Sequence, residues 1–130
     1  MKLCKTEFWQ VNLPDDWECE QESDSEVIFC DGGVGELQFS ASQFDSDVTE
    51  DHLYELAAEH SNADEEEIEF GDFSGITFEY ETGDEFWQEW YLMSGKILLF
   101  ITYTCDLGKE ENEIDIVEFI LDSLNTVNSI

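Results

Sequence analysis

Positive charge is what this chain most conspicuously lacks. It has no arginine and 4 lysines against 34 Asp plus Glu, a formal net charge of -30 on 130 residues. A compact protein of this mass exposes roughly 7,000 Å², or about one net negative charge per ~230 Å². Such a surface excludes nucleic acid, anionic membranes and acidic substrates as natural partners, and draws basic surfaces from a distance. Long apolar runs are missing too. The longest, residues 97–101, is far too short to span a bilayer. Residues 1–7 hold no apolar stretch of signal-peptide length, so the expectation is a soluble, cytoplasmic chain. The four cysteines, Cys4, Cys19, Cys30 and Cys105, form no C-x-x-C pair. The spacing therefore predicts reduced, mostly buried thiols, with neither a disulfide frame nor a zinc site. Histidine occurs twice, as His52 and His60. An i, i+8 pair lies ~12 Å apart along a helix, too far to share a metal. No serine or cysteine has a base nearby in sequence to activate it. Glycine-rich strand-to-helix turns are absent, which argues against a nucleotide fold.

What is present argues for a folded body under this charge. Hydrophobic residues make up 42% and aromatics 14%, and there is one proline, so disorder is excluded despite the acidity. The apolar volume suits one domain over residues 1–130. Strand-like alternation runs through 6–13, with Trp9, Val11 and Leu13 on one side, and resumes after Pro14. Residues 26–30 read as a short apolar strand. Asp31-Gly32-Gly33-Val34-Gly35 reads as a hairpin turn. In 36–44, Leu37, Phe39 and Ala41 alternate with Gln38, Ser40 and Ser42. The period then changes: Leu53, Leu56, Ala57 and His60 share one helical face over 49–60, with Asp47 or Thr49 as cap. Strands follow over 66–70, 75–81, 86–93 and 96–104. The last two are apolar on both faces, as central strands covered on both sides are. A final helix over 110–124 carries Ile114, Val117, Leu121 and Leu124, widened by Ile116, Phe119 and Ile120 into a well-buried element. The order predicts an α+β fold, a mainly antiparallel sheet with two helices packed on it.

This layout resembles the PsbP-like fold class. The residues that carry the resemblance are Leu13-Pro14-Asp15-Asp16-Trp17, matching an "lP-x-x-W" ending to the first strand, and residues 116–124 with Ser123-Leu124 in the closing helix. Members of that class include photosystem assembly factors, a Ran-binding import factor and chaperones of type VI secretion effectors. The resemblance therefore implies binding and no catalysis, and it carries over no functional residue.

The carboxylates gather in runs over 18–26, 45–51, 64–69 and 79–89. None has the glycine and ligand spacing of an EF-hand, and no specific metal site, cofactor or catalytic residue is predicted. In Phe86-Trp87-Gln88-Glu89-Trp90-Tyr91, Trp87, Glu89 and Tyr91 share one strand face. Flanked by Glu79, Glu81, Asp84 and Glu85, that face would anchor Arg or Lys of a partner. Asp64, Glu65, Glu66 and Glu67 supply a second acidic stretch. The sequence thus points to a non-enzymatic acidic protein, monomeric or dimeric, that binds a basic protein partner. A bacterial immunity or inhibitor protein that neutralises a basic toxin such as a nuclease is the leading expectation. A secretion-effector chaperone or adaptor is the alternative, and a small hydrolase the third.

Overall fold

The computed structural model describes residues 2–23, 25–58 and 65–127. Five strands come first: β1 (Lys2–Lys5), β2 (Trp9–Leu13), β3 (Trp17–Gln21), β4 (Glu26–Cys30) and β5 (Gly35–Gln43). Helix α1 (Glu50–Ala58) separates them from β6 (Glu66–Phe70), β7 (Phe73–Thr82), β8 (Glu85–Ser94) and β9 (Ile97–Asp106). A 3-10 turn (Glu110–Asn112), α2 (Ile114–Asp122) and β10 (Asn125–Thr126) close the chain. The fold is α+β and its strand pairings are antiparallel.

The strands divide into a seven-stranded sheet, ordered β3-β4-β5-β9-β8-β7-β6, and a three-stranded sheet, ordered β1-β2-β10. Consecutive hairpins from β6 to β9 bring the chain back beside β5, so α1 must cross the sheet face to reach β6 at the far edge. The dry face is continuous. Trp9, Val11 and Leu13 of β2, with Val117, Ile120 and Leu121 of α2, pack on Ile28, Leu37, Phe39, Leu99, Ile101 and Tyr103. On the other face Leu53 and Ala57 of α1, with Val48, cover Ile76, Phe78 and Tyr91.

That second cover is partial for a simple reason of size. Seven strands at ~4.8 Å spacing span roughly 29 Å, whereas a helix with its side chains is about 10–12 Å across. Among the described residues, one nine-residue helix over β7 and β8 leaves β3, β4 and β5 bare on that side.

α2 is tied to the sheet by a buried carboxylate. Glu113 accepts hydrogen bonds from the Tyr103 hydroxyl at 2.7 Å and from the Val34 N–H at 3.2 Å. The glycines of the β4–β5 turn permit this approach. A Cβ on Gly33 would meet Glu113 Oε2 at 2.6 Å, and one on Gly35 would meet the Tyr103 hydroxyl at 2.7 Å. Only Gly32 of this turn has positive φ, at 78°.

Several expectations need correction. The strand expected over 6–13 begins only at Trp9: residues 6–8 join β1 to β2, and this hairpin with β10 forms a sheet separate from the main one. Cys4 and Cys19 are disulfide-bonded, not reduced thiols. Packing of β1 over β3 brings their Cα atoms to 6.6 Å, a tertiary juxtaposition invisible in the spacing. Cys30 is half-buried and Cys105 buried, both as free thiols. The closing helix begins at Ile114, after the 3-10 turn, and Phe119 on it is 44% exposed where burial was expected. His52 is half-buried with its ring 5.3 Å from Phe44, and His60 lies outside the described residues.

Candidate protein-binding face

Register builds the bare side of the large sheet in rows. Tyr80, Trp87, Thr104, Glu36, Phe29 and Glu18 lie side by side across six strands. Phe78, Glu89, Thr102, Gln38, Val27 and Glu20 form the next row. The α1 end of the second row is covered. Elsewhere Glu18, Glu20 and Glu36 are exposed, while Val27, Phe29, Trp87 and Tyr80 are half-buried. Glu85, also exposed, continues the Trp87 side of β8 toward the turn. No lysine stands in either row. Partly exposed aromatics thus sit among carboxylates, of which Glu18, at the β3 edge, pairs with the Lys2 ammonium at 3.7 Å.

A buried carboxylate organises the aromatic end. Glu89 is 4% exposed and accepts hydrogen bonds from the Tyr80 hydroxyl and, at 3.0 Å, from the Tyr91 hydroxyl. Burial, and then the bond to Glu89, push the Tyr80 phenol well above its ordinary range, so it remains a donor. Trp87 stacks on Tyr80 with ring centroids 6.2 Å apart and planes within 3°. Phe78 continues the ladder at 6.1 Å from Tyr80 and 5.9 Å from Tyr91. Trp87 Nε1 and Thr104 Oγ1 are buried without a hydrogen-bond partner, although their residues are only half-buried.

No family model matches this chain, and no curated protein matches it in sequence. Its fold is similar to that of a solved crystal structure from Bacteroides thetaiotaomicron VPI-5482, with a TM-score of 0.69 and 16% identity. The match covers 93% of this chain and 46% of that one, so this chain spans less than half the length of that protein. At that identity the likeness establishes the fold alone.

The fold separates residues that the sequence had grouped. Trp87, Glu89 and Tyr91 do share a face, but Glu89 and Tyr91 are interior, placed there by α1 and the tyrosine hydroxyls. Glu79 and Glu81 point to the opposite side of β7 from Phe78 and Tyr80, and are exposed there. Asp84 and Glu85 sit at the exposed β7–β8 turn. Glu66 and Glu67 are exposed on edge strand β6, with Glu65 just before it, across α1 from the bare rows. Asp64 lies outside the described residues. Glu18, Glu20, Phe29 and Glu36 were not singled out. Their signal was present as alternation within 17–21 and 35–39, but only the strand order shows that they adjoin Trp87.

Proposed function

We propose that this chain is a non-enzymatic acidic protein that binds a basic protein partner and occludes it. The bare, carboxylate-lined aromatic face of the seven-stranded sheet supports this reading most directly. Lysine and arginine side chains pair with Glu18, Glu20, Glu36 and Glu85 and lie over Trp87, Tyr80 and Phe29. The carboxylates stand in for the phosphates that a basic groove would otherwise hold, as suits an immunity or inhibitor protein for a nuclease-like toxin. A second copy of the chain is disfavoured on this face, because -30 would meet -30. An effector chaperone or adaptor of the PsbP-like class is the second reading, supported by a groove at the end of the sheet described below. The test is capture of binding proteins by the wild-type chain and by Glu18→Gln/Glu36→Gln/Trp87→Ala. Basic captured proteins that the triple variant fails to retain support the reading. Captured proteins that are acidic, or retained equally by the variant, refute it.

A further inference from the structure

On the other side of β3 from Glu18 and Glu20, a groove of about 620 Å³ opens between the β1–β2 and β3–β4 turns. This volume is within the usual range of ligand pockets. Its walls are fixed. The Cys4–Cys19 disulfide lines it, the N–H groups of Phe8 and Trp9 both donate to Thr6 Oγ1 at 3.2 Å, and the Glu22 N–H donates to the Ser25 carbonyl at 2.8 Å. Phe8, Trp9 and Ala41 give it an apolar side. Glu7, Glu22 and Glu26 outnumber Lys5 among its charged residues.

We infer that this groove receives an extended, lysine- or arginine-bearing segment of the basic partner. The position of the groove chooses a peptide over a free polyamine. β3 is the edge of its sheet, with Glu18 and Glu20 exposed on one side and Cys19 and Gln21 on the groove side. An extended segment beside it alternates side chains between the groove and the acidic face. Glu26 gives independent support. Burial alone pushes its carboxyl above the ordinary range, and an incoming ammonium would offset that cost.

The inference rests on the partner being basic, and its test separates the two surfaces. Full-length protein is titrated with acetyl-Lys-Val-Lys-Val-Lys-amide, with the Gln-for-Lys version of that peptide, and with spermidine, while backbone amide resonances are followed. The lysine peptide is expected to shift Thr6, Glu22, Ser25 and Glu26 saturably, with the Gln peptide roughly tenfold weaker. Glu26→Gln and, separately, Ala41→Trp, which fills the groove, should each weaken binding about fivefold or more. The same spectra report whether each variant is folded. Trp87→Ala should leave peptide affinity unchanged even if it abolishes partner capture. Equal binding of both peptides, shifts confined to the open face, or spermidine binding as tightly as the lysine peptide would overturn the proposal.

Discussion

Two buried carboxylates define this protein at the scale of single residues, and each is held by tyrosine hydroxyls on a different face of one sheet. Glu113 joins the α2 end to the β4–β5 turn, and Glu89 anchors the aromatic ladder beneath the open face. Truncating Glu113 to alanine removes the carboxylate that accepts from the Val34 N–H and from the Tyr103 hydroxyl, leaving the latter only its bond with Cys105. Urea melts of Glu113→Ala are expected to show a loss of about 1–3 kcal/mol, the scale of hydrogen bonds to a charged group. Gly33→Ala should fail similarly, since its Cβ would meet Glu113 Oε2 at 2.6 Å and the Cys30 carbonyl at 2.9 Å. The paired phenols predict an alkaline limit as well. Burial and then the carboxylate bonds push the Tyr80 and Tyr103 phenols upward. A group whose folded pKa is raised contributes stability that is fully present below its unfolded value and lost as pH rises through the folded one. Stability should therefore fall above about pH 10, with these phenols ionising only as the chain unfolds. Absorbance titration of phenolate alongside circular dichroism checks this; full phenolate formation in a still-folded chain would contradict it.

At the scale of elements, the disulfide is the device that joins the small sheet to the edge of the large one. It closes a loop of sequence separation 15 between β1 and β3. A loop of that size is worth roughly 3 kcal/mol by the chain-entropy account. Cys4→Ser/Cys19→Ser, or mild reduction, should lower stability by about that amount in denaturant melts. No change would mean that Lys2, whose ammonium donates to the Trp17 carbonyl at 2.8 Å and pairs with Glu18 at 3.7 Å, already holds β1 in place. Most strands were legible from alternation, because one side of each is dry: Leu37 and Phe39, or Ile76 and Phe78, announce their faces. The centrality of β8 and β9 was legible from apolarity on both sides. What local pattern does not carry is sheet membership. Trp9, Val11 and Leu13 alternate like any half-buried strand, and nothing local tells them to pair with Lys2–Lys5 and Asn125–Thr126 in a separate sheet. Phe119 shows the same limit: an aromatic beside a helical stripe reads as core, yet α2 turns it outward. The candidate face was half legible. Trp87 was found in its own segment, whereas Phe29 and Glu36 reach it only through the β4-β5-β9-β8 order.

For the whole molecule, net charge is predicted to govern both stability and association. Compaction concentrates -30 onto 7617 Å² of accessible surface, and protonation relieves that repulsion more in the folded chain than in the expanded one. Glu26 acts in the same direction, since its raised carboxyl makes the folded state bind its proton more tightly. Stability from such a group is present at low pH and lost as pH rises through the folded value, so the melting temperature should rise from pH 7 to about pH 5. Added salt at pH 7 should act likewise. Thermal melts at both pH values decide this, and a melting temperature that falls at pH 5 and ignores salt contradicts it. The central claim is that a carboxylate-lined aromatic face binds a basic partner. Stopped-flow association with the captured partner across ionic strengths tests it most directly. The on-rate of the wild-type chain is predicted to fall steeply with salt, and that of Glu18→Gln/Glu36→Gln to be slower at low salt and to depend on salt less. An on-rate indifferent to salt, or identical in the two proteins, would contradict it.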